Sequence, residues 1–197
     1  MKSHKSFAYI LAAIIAVSAA HAIDAKTPFV DSLRLWADSQ AAPRQFEAGA
    51  TYKLCFVPDG NSCQTLIVSA IEQTRTRLRV QAYSFTSSPV AAAIKRAKDR
   101  GVDVKVILDK SQVSQRYSSA TFLRNAGIDV VIDSKPAIAH NKVMIFDDSA
   151  VFTGSFNFTK SAQERNAENG ILIRGDRELA KLYTANWNER YAVSERY

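Results

Sequence analysis

Apolar residues recur along this chain in two alternating rhythms, short runs suited to strands and stripes spaced for helices. Tyr52 to Val57 reads as a strand, and Ser62 to Thr74 as an amphipathic helix with Leu66, Ala70 and Ile71 inward. A strand from Leu78 to Phe85 precedes a helix from Pro89 to Arg100, with proline near its start and Gly101 just past its end. Val104 to Leu108 is a strongly apolar strand, Ser119 to Asn125 belongs to a helix closed by Gly127, and Ile128 to Ile132 is a further strand. This β-α-β-α order predicts an α/β fold, with a mixed and largely parallel sheet flanked by helices on both faces.

Past that point the style changes. Val143 to Phe146 and Val151 to Gly154 are predicted strands joined by a tight turn through Asp147, Asp148 and Ser149. Gly170 to Ile173 is a further strand, and Arg177 to Tyr191 a long closing helix. Nothing repeats and no tract is of low complexity, so residues 50–197 are expected to form one domain. Residues 23–49 stand apart. Phe29, Leu33 and Trp36 keep helical spacing, but Pro28, Pro43 and Gly49 interrupt it, which leaves open a short amphipathic helix or a mobile arm.

The first residues read as an export signal. Lys2 and Lys5 precede an apolar run from Phe7 to Ala20 and an Ala20-His21-Ala22 cleavage pattern, the layout of a signal peptide over residues 1–22. A bilayer span needs about 20 apolar residues. A cleaved chain starting near Ile23, periplasmic or secreted and without stable membrane insertion, is therefore favoured over a retained anchor.

Charge and cysteine content refine this only a little. The formal net charge is +7, and removal of a leader with two lysines and no acidic residue would leave +5. A basic chain suits a polyanionic partner, and equally suits simple solubility. Cys55 and Cys63 lie close together behind an export signal, so a local disulfide is expected, with two buried thiols as the other reading. Histidine changes the picture more. The chain has three, His4, His21 and His140, and loss of the leader would leave His140 alone.

The neighbours of His140 suggest chemistry. His140 and Lys142 are two apart entering a strand, so their side chains share a face if the strand begins there. Ser155 and Asn157 are again two apart, at and just beyond the end of the next strand. A hairpin between these strands would gather a nucleophile, a cation and two polar groups. A fixed ammonium and an amide donor suit an oxyanion whose charge grows in the transition state, and a neutral imidazole can attack phosphorus to form a phosphohistidine. Asp147, an odd number of residues from Lys142, faces the other way in a regular strand and reads as a structural hydrogen-bond or ion-pair partner.

The joined pattern is His140-x-Lys142-x-x-x-x-Asp147, six residues, then Gly154-Ser155-x-Asn157. It resembles the HKD signature of the phospholipase D superfamily, and in particular its small single-motif bacterial endonucleases. The likeness runs from about Tyr52 to the C-terminus, through Ala82-Tyr83-Ser84-Phe85-Thr86, Arg100-Gly101-Val102-Asp103-Val104 and Thr153-Gly154-Ser155-Phe156-Asn157-Phe158-Thr159. The resemblance implies a phospholipase D-like fold and a metal-independent phosphodiesterase that needs no cofactor. It implies His140 as nucleophile, Lys142 and Asn157 as holders of the scissile phosphate, and Ser155 as support. Glu168 matches the acid that orients and charges the histidine. The family mechanism uses two histidines, one to attack and one to protonate the leaving oxygen, and such acid–base help is worth about 10²–10⁴-fold. One mature chain carries one, so the resemblance implies a homodimer with the active site on its two-fold axis.

Other classes fit less well. The chain has no H-E-x-x-H, no paired C-x-x-C and no G-x-S-x-G elbow, which disfavours a metalloenzyme or a serine hydrolase. Clustered carboxylates could still bind magnesium, though a phosphohistidine route does not need it. Nucleic acid is the favoured substrate, with DNA against RNA left open. Phospholipid is the alternative, although the phospholipases and phosphatidyl transferases of this superfamily mostly carry two motifs on a longer chain. A non-catalytic nucleic-acid-binding module is the third reading. Lys160 and Arg165 lie nearest the motif in sequence and are candidate nucleic-acid contacts. Arg75, Arg77 and Arg79, with Lys95, Arg96, Lys98 and Arg100, could extend a groove, although each taken singly reads as a solvated charge.

Overall fold

A computed structural model describes residues 43–197; the predicted signal peptide and most of the 23–49 segment lie outside the described residues. The chain forms β1 (Thr51–Val57), α1 (Cys63–Gln73), β2 (Arg77–Ala82), α2 (Ser88–Asp99) and β3 (Asp103–Asp109). After a 3₁₀ turn at Lys110–Val113 come α3 (Ala120–Asn125), β4 (Asp129–Asp133), β5 (Lys142–Phe146) and β6 (Ala150–Gly154). Then follow α4 (Lys160–Glu164), β7 (Glu168–Arg174), α5 (Arg177–Ala192) and the short β8 (Glu195–Arg196). The 3₁₀ turn, α4 and β8 are too short to leave a periodic signal in the sequence.

All eight strands join one sheet in the order β1-β7-β6-β5-β2-β3-β4-β8. The predicted mixed α/β sheet is present, but its parallel share is smaller than expected. Parallel pairing is confined to β2–β3 and β3–β4, and the other pairings are antiparallel. The physical reason is connection length. Helices α2 and α3 return the chain for parallel crossovers, whereas the Asp147–Ser149 turn can only reverse it into a hairpin.

Alternation along the strands sends apolar side chains to both faces. Leu78, Val80, Val104, Val106, Met144 and Phe152 belong to the larger core, together with α1, α2 and α3. Ile107, Val131, Val143, Ile145 and Val151 pack on the other face with Ala180 and Trp187 of α5. The buried Trp187 also donates from Nε1 to the Val80 carbonyl at 3.0 Å, which ties α5 to the sheet. Local signals start and stop the helices. Ser62 Oγ accepts from Thr65 N–H at 3.1 Å to cap α1, and Gly101, at φ +90°, turns the chain after α2. The expected disulfide is present and joins Cys55 of β1 to Cys63, the first residue of α1. No described helix is long and apolar enough to cross a membrane.

The register sets where chemistry can gather. Ala82 lies opposite Lys142, Val57 opposite Glu168, and Asp109 opposite Asp133. Strands β2, β3 and β4 therefore end at the same edge of the sheet where β5 and β7 begin.

Candidate active site

His140 sits at that edge, in the loop between β4 and β5, and its side chain is exposed. Strand β5 begins at Lys142, so the histidine precedes the strand instead of opening it. The pairing nevertheless continues one residue further, because Tyr83 N–H donates to the Asn141 carbonyl at 2.8 Å. Lys142, only 6% exposed, reaches back: its Nζ lies 3.0 Å from each ring nitrogen of His140 and donates to the His140 carbonyl at 2.9 Å. Only the unprotonated ring nitrogen can accept from this ammonium. Burial pulls the Lys142 ammonium below its usual pKa, and the negative charge of Glu168 offsets part of that effect.

Ser155 and Glu168 form the second half. Ser155 Oγ donates to Glu168 Oε2 at 2.6 Å and accepts from Asn169 N–H at 3.1 Å, while Asn166 Nδ2 donates to Glu168 Oε1 at 2.9 Å. Among the described residues, the hydrogen bonds of the Glu168 carboxylate thus go to Ser155 and Asn166, and none joins it to His140. The close approach of β6 and β7 here requires glycine. A Cβ on Gly154, at φ +154°, would lie 2.4 Å from the Asn169 carbonyl oxygen. Asn157 follows Phe156, whose ring is buried, and the Asn157 Oδ1 atom is itself buried without a hydrogen-bond partner among the described residues. Such an atom is a candidate for a bond to a ligand or water.

Asp147 lies at the other end of β5, about 17 Å away by strand rise. Its carboxylate accepts from the N–H groups of Arg75, Thr76 and Arg77 and from the Thr76 hydroxyl, at 2.7–3.1 Å. It anchors the start of β2. The basic residues divide in the same way. Arg77 pairs with Asp148, Arg96 and Arg100 with Glu72, and Lys95 with Asp99. Arg79 is buried, bonded to Asp103 and set over the Trp187 ring at 5.4 Å. Because α2 runs away from the His140 edge, the charges late in this helix gather at the opposite end of the sheet and line no groove beside the histidine. Lys160 and Arg165 lie on and just after α4, between Asn157 and Glu168 in the chain. Both are exposed, and Lys160 lies 3.7 Å from Glu164.

Two residues at this edge carried no chemical signal in the sequence. The Tyr83 ring packs on the His140 ring, centroids 4.6 Å apart, and lies under Lys142 Nζ at 5.3 Å. Asp109, at the end of β3, accepts from Ala139 N–H at 2.7 Å. Their roles depend on register between strands, which residue spacing along one segment does not express. Among the described residues, no group of three or more His, Cys, Asp and Glu side chains is arranged to hold a metal ion.

Comparison with known proteins places this arrangement. The model of the family described as cardiolipin synthase, PLD-like domain, matches residues 67–191. A protein named phospholipase D from Rickettsia prowazekii is 47% identical over 140 residues, 71% of this chain and 67% of the relative. Mitochondrial cardiolipin hydrolase from Homo sapiens is 33% identical over 129 residues, 66% of this chain and 51% of that protein. The crystal structure of Nuc, a phospholipase D family member from Salmonella typhimurium, matches with a TM-score of 0.72 at 37% identity, over 75% of this chain and 98% of that one. The mixed α/β sheet and these likenesses together show that the chain belongs to the phospholipase D superfamily and is a phosphodiester hydrolase.

Proposed function

We propose that the chain is a metal-independent, largely non-specific endonuclease that cuts nucleic acid, with DNA as the first substrate to test, through a phosphohistidine intermediate. The observation that carries this reading is the buried Lys142 ammonium held 3.0 Å from the His140 ring on an exposed edge. A neutral His140 nitrogen attacks phosphorus and forms the N–P bond. The P–O bond to the leaving strand breaks, and a second imidazole gives its proton to that oxygen. Lys142 and Asn157 take the non-bridging oxygens, where charge grows in the transition state. Water then attacks phosphorus, passes a proton to the second imidazole, and frees His140. Glu168, seated by Ser155 and Asn166, supplies a negative charge that favours the ammonium form of Lys142.

One chain has one histidine beyond the predicted leader, so the second imidazole comes from a second copy across a two-fold axis. The exposed position of His140 suits completion by such a copy. Lys160 and Arg165 then supply backbone contacts on either side of the cut. The predicted leader assigns the enzyme to the periplasm or the medium.

Plasmid nicking in excess EDTA, with His140→Ala purified alongside, tests the reading. Cutting by the wild type alone supports it. Cutting by both proteins counts against His140 as nucleophile, and cutting by neither counts against nucleic acid. The relatives named phospholipase D and cardiolipin hydrolase favour phospholipid as a second reading. Formation of phosphatidic acid and phosphatidylglycerol from cardiolipin vesicles, with nucleic acid left intact, is the result that would favour it.

A further inference from the structure

An exposed histidine on an irregular loop is a poor nucleophile unless something holds it. Productive geometry tolerates only about 0.5 Å of error. The segment from Ser134 to Asn141 has no regular structure, yet the backbone is pinned at the residue on either side of His140. On the β2 side, Tyr83 N–H holds the Asn141 carbonyl at 2.8 Å. On the β3 side, Asp109 Oδ2 holds Ala139 N–H at 2.7 Å.

Each anchor does more than close the backbone. Asp109 is 3% exposed, and its other oxygen accepts from Ser111 N–H at 2.9 Å, so the carboxylate cannot swing without losing both bonds. Its register neighbour Asp133 is taken up separately by the Arg190 guanidinium, at 2.7 and 2.8 Å, which leaves Asp109 free to serve the loop. Lys110 adds a third tie, from Nζ to the Pro136 carbonyl at 3.2 Å. The Tyr83 ring meets the imidazole at 53° and places its face toward the Lys142 ammonium, so one aromatic surface touches both members of the His-x-Lys pair.

We propose that Tyr83 and Asp109 are positioning residues for His140, the ring setting the angle of the imidazole and the carboxylate setting the backbone from which it projects. This rests on His140 acting as the nucleophile. It does not depend on which phosphodiester is cut. None of the Tyr83 ring contacts uses its hydroxyl, so phenylalanine should serve equally well.

The test compares full-length wild type with Tyr83→Phe, Tyr83→Leu, Asp109→Asn and His140→Ala, using bis(p-nitrophenyl) phosphate as the probe. Histidine side-chain NMR accompanies the kinetics, with His140→Ala assigning the His140 signals. Tyr83→Leu and Asp109→Asn should lower kcat by about 10²-fold, the cost of a displacement near 1 Å, with KM little changed. Their His140 signals should shift or broaden, and Tyr83→Phe should match wild type in both readouts. Should Asp109→Asn fold poorly by thermal melting, Asp109→Ser takes its place with the same expectation. An unchanged kcat, a loss carried by KM, unaltered His140 signals, or a Tyr83→Phe as impaired as Tyr83→Leu would each overturn the proposal. Full activity in His140→Ala would remove the nucleophile reading and this inference with it, whereas a lowered kcat together with altered signals, in an active site still dependent on His140, would support both.

Discussion

At the residue scale, Lys142 and Asp147 show how one five-residue strand separates two kinds of charge, one opening it and one in the turn just past its end. Lys142 is desolvated at the functional edge, and burial lowers its pKa against the pull of Glu168. Lys142→Met should reduce kcat by about 10²–10³-fold, the usual cost of losing a donor to a developing oxyanion; steady-state kinetics on a small phosphodiester would show it. The pH–rate profile should be bell-shaped, because one imidazole must be neutral while the other carries a proton. Asp147 is structural in its contacts. Burial opposes its charge, but the N–H groups of Thr76, Arg77 and Arg75 and the Thr76 hydroxyl prevail and hold the carboxyl below its ordinary value. A depressed pKa stabilises the fold above the unfolded value, and that contribution is lost as pH falls through the folded one. The urea midpoints of wild type and Asp147→Ala should therefore draw together below about pH 4. A gap that stays constant into strong acid would show that the charge contributes nothing.

At the element scale, the contact between β6 and β7 sets the second half of the site. Gly154 and Gly170 lie opposite each other in the register, and a Cβ on Gly170 would sit 2.5 Å from the Phe152 ring. Gly154→Ala should push β6 off β7, unseat the Ser155–Glu168 bond, and cost roughly 1–3 kcal/mol in strain. Chemical denaturation read alongside turnover would register both losses. The disulfide braces the same region, since Cys55 Sγ is 3.0 Å from where that Cβ would stand. Cutting a cross-link that closes a loop of eight residues should lower stability by about 2.5 kcal/mol on the chain-entropy view. Melts with and without reductant, repeated on a Cys55→Ser/Cys63→Ser chain, would measure it.

At the scale of the whole molecule, a shared site makes a quantitative statement about mixtures. If each site needs an imidazole from two copies, a chain bearing His140→Ala poisons the wild-type copy it joins. After subunit exchange, activity should fall with the square of the wild-type fraction. A linear fall would assign one complete site to each chain. The charge distribution fits a single working edge. The ion pairs of Glu72 with Arg96 and Arg100, and of Arg77 with Asp148, lie at the opposite end of the sheet, where they form a solvated surface.

Most of the longer strands and helices, the Cys55–Cys63 pairing and the closeness of His140 to Lys142 were legible in the amino-acid sequence. Periodicity, capping residues and short-range motifs are properties of neighbours along the chain, so they survive without a fold. Long-range register was not legible. It decided that most strand pairings are antiparallel, that Arg79 is buried against Trp187 while Arg77 stays at the surface, and that Glu168 bonds Ser155 and Asn166. It also brought Tyr83, just past β2, against the His140 ring, and Asp109 of β3 against the Ala139 peptide before it. Each of these contacts depends on which strands lie side by side and at what offset. That choice is made by the packing of α1, α2, α3 and α5 on the sheet, and no single segment carries it.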